Sequence, residues 1–131
     1  MPTDSQSRPP VVIVVEDDAD TQAFMNAVLG RRYEVAAAST EAETRRELES
    51  RFGAAMVVLM DLSLANGEDG AELTRRLRSD SRWATLPIVA LTAHATAADR
   101  DRALAAGCDE YLSKPIDRRK LFALIDSLLN R

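Results

Sequence analysis

Apolar runs without a polar break alternate along this chain with stretches whose apolar positions recur at helical spacing. Val11-Val12-Ile13-Val14-Val15 is β-branched throughout, the pattern of a strand buried on both faces of a parallel sheet. Met56-Val57-Val58-Leu59-Met60 repeats it, and so does Ile88-Val89-Ala90-Leu91 behind Pro87. Two weaker runs, residues 33–37 and Tyr111-Leu112-Ser113, complete five predicted strands. The first intervening helix carries Ala23, Phe24, Ala27 and Val28 and stops near Gly30. The second covers residues 40–51, with Thr40 and Glu43 spaced as a capping box. The third carries Leu73 and Leu77. The fourth spans residues 97–106 and ends at Gly107, a residue suited to a C-cap. The last starts near Asp117 and sets Leu121, Leu124, Ile125, Leu128 and Leu129 on one stripe.

Five β/α units in succession predict an α/β fold, a doubly wound parallel sheet with helices on both faces. Residues 1–10 are polar and proline-bearing and read as a flexible tail, leaving residues 11–131 as one domain. Ligands of open α/β sheets bind at the carboxyl ends of the strands, where strand order reverses. The first strand runs into Glu16-Asp17, the third into Asp61, the fourth into Thr92 and the fifth into Lys114. The second ends in alanines. An order of 2-1-3-4-5 puts that blank strand at an edge and makes the four polar ends neighbours.

Composition narrows the chemistry. The chain has 131 residues, a net charge of −4 and no clustered basic face, which argues against a nucleic-acid partner. Its longest basic run, Arg118-Arg119-Lys120, suits a solvated helix face. A single cysteine, Cys108, excludes an internal disulfide and reads as a small residue at a turn. No apolar stretch has the length of a membrane span, and residues 1–10 lack a signal-peptide core, so a cytoplasmic protein is expected.

Three carboxylates converging on one crevice repel each other unless a cation lies among them. Oxygen donors of this kind suit Mg²⁺, with Mn²⁺ as a substitute, and leave room for a phosphoryl oxygen. A carboxylate can attack phosphorus to give an acyl phosphate. Lys114 adds a positive charge and Thr92 a hydroxyl donor. Together these groups fit phosphoryl transfer, which depends chiefly on positioning and charge neutralisation.

The segments VVIVVEDD, MVVLMDLSL, PIVALTAHA and GCDEYLSKPI stand in order and in register, with Tyr111 19 and Lys114 22 residues after Thr92. On these residues the chain resembles the receiver domain of two-component response regulators, from Val11 to about Leu129. The resemblance implies a flavodoxin-like, CheY-like sheet with five helices. It implies that Asp61 is the phosphoacceptor and that Glu16, Asp17, Asp61 and the backbone carbonyl of Ser63 hold the metal. Thr92 and Lys114 would sense the phosphoryl group, Thr92 and Tyr111 would switch, and the Lys114-Pro115 bond would be cis. The implied donor is a sensor histidine kinase or a histidine phosphotransfer protein. The implied output is a protein target on the face of the fourth helix, fifth strand and fifth helix. The chain would act as a phosphoacceptor rather than an enzyme, as a monomer or a weak phosphorylation-dependent dimer. A stand-alone protein is expected, and a receiver excised from a hybrid kinase or a longer regulator is the alternative.

One departure concerns the loop after Asp61. The family carries proline four residues on and glycine eight on; here stand Ala65 and, nine on, Gly70. The loop is thus one residue longer, with an Asn66-Gly67 turn and with Glu68 and Asp69 expected close to the site. By the same resemblance Ser63 and His94 flank the path of a hydrolytic water, though a lone histidine in a loop is more often a bystander. Other classes fit less well. An aspartyl phosphatase of the haloacid dehalogenase type wants a second Asp where Ser63 stands, and no P-loop motif is present. A flavodoxin would want a phosphate-cradling loop after the first strand in place of three acids.

Overall fold

The computed structural model describes residues 9–64, 67–93 and 96–131. The chain order is β1 (Val11–Val15), α1 (Ala19–Leu29), β2 (Glu34–Ala38), α2 (Glu41–Ser50), β3 (Met56–Asp61), α3 (Gly70–Arg78), β4 (Ile88–Thr92), α4 (Ala97–Ala106), β5 (Glu110–Ser113) and α5 (Arg118–Leu129). A short 3₁₀ turn (Ser81–Trp83) precedes β4. The strands form one parallel sheet in the order β2-β1-β3-β4-β5, as the pattern of polar and blank strand ends predicts.

Alternation along the strands divides the core into two layers. Ile13, Val15, Val58, Met60, Ile88 and Ala90 face Leu48 of α2, Leu73 and Leu77 of α3, and Ala103 and Ala106 of α4. Val12, Val14, Val57, Leu59, Val89 and Leu91 face Met25 and Leu29 of α1 and Leu121, Ile125 and Leu128 of α5. Both faces of β1 and β3 are therefore dry, which is why their sequences show no alternation at all.

Several helix ends follow their sequence signals. Asp18, Thr40, Asp69, Thr96 and Asp117 are N-caps whose side chains accept backbone N–H groups of the first turn. Gly107 closes α4 in the left-handed region, φ 110°, which glycine adopts without a Cβ penalty. Arg78 donates to its carbonyl, to that of Trp83 and to Asp109, tying α3 to the β4 and β5 starts.

Three expectations are corrected. The buried stripe of α1 is Met25 and Leu29; Ala23, Phe24 and Ala27 are exposed, Phe24 by 46%, and Val28 only flanks the core. The helix rolls so that Gln22, not an apolar residue, points at β1, where its amide is needed. The second strand begins at Glu34 because the Tyr33 N–H is taken by the Leu29 carbonyl at the end of α1. The box at α2 is displaced by one residue: Thr40 accepts from the Glu43 N–H, but the Glu43 carboxylate accepts from the N–H and hydroxyl of Ser39. The expected tail falls on residues 1–10, of which 1–8 lie outside the described residues; the Pro10 carbonyl already accepts from the Glu34 N–H.

Candidate functional site

β1 and β3 lie side by side in register, Val15 beside Met60, so Glu16 and Asp61 emerge next to each other at the carboxyl edge. Both are buried at 3% exposure. Glu16 is fixed by its own N–H, which donates to the Ala38 carbonyl, and its Oε2 accepts from the Asp18 N–H at 3.2 Å. Beneath it Gln22 of α1 donates to the carbonyls of Val14 and Glu16, each at 2.9 Å. Nothing in the sequence singles out this glutamine, because a polar residue four positions into a helix usually faces water.

Lys114 follows β5, and its N–H is held by the Thr92 carbonyl at 2.7 Å. Its Nζ stands 3.0 Å from Asp61 Oδ2 and 3.1 Å from Glu16 Oε1, one ammonium between two buried carboxylates. Burial alone would lower the lysine's pKa; Asp61 and Glu16 outweigh it and hold the ammonium above its usual range. Glu16 is pushed up, first by burial and then by its hydrogen bond to Asp61. The pocket thus carries more acid than one lysine neutralises. The Lys114-Pro115 bond is cis, as the resemblance implies.

The second oxygen of Asp61, Oδ1, accepts from the Ser63 N–H at 2.9 Å, which fixes the plane of the carboxylate. Ser63 pairs with Asp69 in an isolated antiparallel bridge that closes the neck of the longer loop. Gly70 is essential to that closure. A Cβ built there would lie 2.1 Å from the Asp61 carbonyl oxygen, and the Gly70 N–H donates to Leu62. Of the two acids expected close to the site, Asp69 is tied to it through its bridge to Ser63, and both carboxylates are engaged elsewhere. Glu68 accepts from the Glu41 N–H at the start of α2, while Asp69 caps α3 and pairs with Arg102 of α4. Ala65, Asn66 and His94 lie outside the described residues.

Thr92 ends β4 at 5% exposure, and its hydroxyl donates to Asp99 of α4 at 3.4 Å. Tyr111 pairs with Ala90 across β4 and β5 and packs, partly buried, against the layer that includes α4. Asp17 is partly exposed and lines a cleft of about 230 Å³ with Glu16, Gln22, Ser39 and Glu43. Among the described residues no three Asp, Glu, His or Cys side chains gather closely enough to form a finished metal site. The structure joins two of the expected acids, Glu16 and Asp61, around Lys114; Asp17 is not drawn in as a third. The donor set is nevertheless one of hard oxygens with excess negative charge, and it fits a divalent cation of the Mg²⁺ kind.

Residues 12–126 match the response regulator receiver domain family. The chain belongs to that family. The receiver is 36% identical to the transcriptional regulatory protein GltR of Pseudomonas aeruginosa over 121 residues, 92% of this chain and 49% of GltR. Against protein PetR of Rhodobacter capsulatus the identity is again 36%, over 94% of this chain and 50% of PetR. The chain thus spans about half the length of these curated relatives. Among solved structures, the receiver domain of sensor histidine kinase PA1611 of Pseudomonas aeruginosa superposes with a TM-score of 0.82 at 30% identity, covering 94% of this chain and 99% of that one. That crystal structure has a magnesium ion coordinated in its active-site cleft. The receiver domain of TorR, the regulator of a TMAO respiratory system, gives 0.81 at 30% identity, covering 94% and 98%. Among the described residues of this receiver, no helix is long and apolar enough to cross a membrane.

Proposed function

We propose that this receiver takes a phosphoryl group onto Asp61 and passes the change to a protein partner as a signal. The observation that carries the reading is the setting of Asp61: buried at a strand end, Oδ2 on the Lys114 ammonium and Oδ1 on the Ser63 N–H. Other aspartates of the fold are doubly anchored too, Asp126 by Arg32 and Tyr33; Asp61 differs in being buried at a strand end and in sharing its ammonium with a second buried carboxylate, Glu16. Here the two anchors align one oxygen for attack and keep a cation beside the charge that a phosphoryl group brings.

In the transfer, an oxygen of Asp61 bonds to phosphorus as the bond from phosphorus to the donor breaks, and the donor keeps that electron pair. The donor class is a phosphohistidine of a sensor kinase or a histidine phosphotransfer protein. Small acyl phosphates would serve in its place. Glu16, Asp17, Asp61 and the Ser63 carbonyl would hold Mg²⁺, with Mn²⁺ as a substitute; the bound ion supplies charge neutralisation for the carboxylates and the phosphoryl oxygens. Lys114 follows the phosphoryl group, and the Thr92 hydroxyl turns from Asp99 towards it. Tyr111 then takes a more buried rotamer, and the face of α4, β5 and α5 changes its affinity for its target. The chain is a signalling phosphoacceptor acting on itself, and the same module within longer proteins such as GltR would serve a neighbouring domain.

Incubation with acetyl phosphate and Mg²⁺ tests this by intact mass. One phosphoryl group is expected, lost in mild base and absent from Asp61→Asn. Undiminished labelling of that variant overturns the assignment.

A further inference from the structure

The loop after Asp61 folds back on itself as a small hairpin. Ser63 and Asp69 form its bridge, and the Gly67 N–H donates to the Leu64 carbonyl at 3.1 Å. Gly67 takes φ 90°, a conformation open to glycine, and Leu64 is buried beneath the arm.

The far arm of the hairpin reaches α2. Glu68, next to Asp69, accepts from the Glu41 N–H at 3.0 Å. That N–H belongs to the first residue of α2, so the helix itself offers it no acceptor. The N-caps of the five helices each come from the residue just before the helix, whereas this acceptor lies 27 residues further along the chain. The Glu41 carboxylate pairs with Arg45 of α2 and Arg76 of α3, and Arg76 attracts Glu68 as well. At its other arm the hairpin meets the acceptor, where the Ser63 N–H donates to Asp61 Oδ1 at 2.9 Å. The path from α2 to that bond is short: Glu68 adjoins Asp69, and Asp69 is bridged to Ser63.

We propose that the bond from the first N–H of α2 to Glu68 is a mooring that positions the acceptor: it fixes the hairpin, and the hairpin fixes Ser63 against the Asp61 carboxylate. The inference rests on Asp61 being the phosphoacceptor. Attack on phosphorus tolerates little error in the direction of the attacking oxygen. With the mooring cut, the arm takes up more positions and the Ser63 N–H leaves Asp61 more often. A smaller share of molecules then holds the reactive geometry. Glu68 is in this sense a positioning residue, acting through Asp69 and Ser63.

Proline at position 41 cuts the mooring from the α2 side. It has no N–H yet suits the first position of a helix, and Thr40 already has the extended backbone that a following proline requires, φ −136° and ψ 167°. Glu41→Ala is the control, since it loses the same carboxylate but keeps the N–H. Both variants are made in the full chain, with Glu68→Ala and Glu68→Gln beside them. Hydrogen exchange of the Ser63 amide is followed by NMR against that of Val58 in the central strand, and phosphorylation by acetyl phosphate with Mg²⁺ by intact mass. Relative to Glu41→Ala, Glu41→Pro is expected to raise Ser63 exchange several-fold with Val58 unchanged, and to slow phosphorylation several-fold. Glu68→Ala should follow Glu41→Pro, and Glu68→Gln, whose amide oxygen still accepts, should stay near the wild type. Equal Ser63 exchange or equal rates in the two position-41 variants overturns the proposal. So does a Glu68→Gln variant as impaired as Glu68→Ala, because charge rather than the bond would then be at work. Failure of the wild type to label at Asp61 would instead overturn the functional reading, and Ser63 exchange would still decide the mooring.

Discussion

Gly70 meets Asp61 backbone to backbone: where another residue would place a Cβ, the Asp61 carbonyl oxygen is 2.1 Å away. The first turn of α3 can sit under the end of β3 only because that side chain is missing. Gly70→Ala is therefore expected to push α3 from the sheet, at a cost of about 1 to 3 kcal/mol, the range for overpacking a closed site. Urea unfolding measures it. The displaced Ser63 and Asp69 should also reduce phosphorylation of the folded fraction. A variant as stable and as reactive as the wild type would show that the loop yields easily.

Lys114 is the shared counter-charge of Glu16 and Asp61. Lys114→Met leaves two buried carboxylates facing each other and is expected to lose about 1 to 3 kcal/mol without divalent ions. Adding Glu16→Gln removes the facing charge and should restore part of that stability. The expected coupling in the double-mutant cycle is about 0.5 to 3 kcal/mol. Additive effects would mean that the three groups are energetically separate.

Gln22 braces the floor of the site by donating to the carbonyls of Val14 and Glu16. Gln22→Leu keeps the bulk and removes both bonds, leaving carbonyls at a buried strand end short of a donor. A loss of about 1 to 2 kcal/mol in urea unfolding is expected. No loss would place the amide among ordinary surface contacts.

Far from the site, the buried Tyr33 hydroxyl donates to Asp126 Oδ1 at 2.7 Å. Burial and then Asp126 push the phenol's pKa well above its usual value of 10.0. An acid with a raised pKa stays protonated in the fold after the unfolded chain has ionised. Its contribution is therefore full below about pH 10 and lost as pH rises beyond it. Tyr33→Phe is expected to be about 1 kcal/mol less stable at pH 8, with the gap narrowing towards pH 11. A gap that stays constant over that range contradicts the assigned shift.

Much of this was legible in the chain. Short unbroken β-branched runs bounded by turn residues suit strands covered on both faces, and with β2 at an edge, the polar ends of its neighbours come together in the observed sheet order. The same logic put Glu16, Asp61, Thr92 and Lys114 at one edge. Side chains whose local role looks complete were harder to read. Asp99 and Asp69 look like ordinary first-turn and capping acids, and nothing in sequence spacing pairs Asp69 with Arg102. The roll of α1 is not legible in the pattern, because Phe24 is apolar yet exposed, while the inward position goes to Gln22, whose amide has two carbonyls to satisfy.

The central claim is that Asp61 itself forms the bond to phosphorus. Borohydride reduces an acyl phosphate to an alcohol, so a phosphorylated aspartate becomes homoserine and can be located by peptide mass spectrometry. After acetyl phosphate and Mg²⁺, reduction is expected to give homoserine at position 61 and nowhere else, and none in Asp61→Asn. Homoserine at another acidic position of the wild type, with position 61 unmodified, would contradict the account.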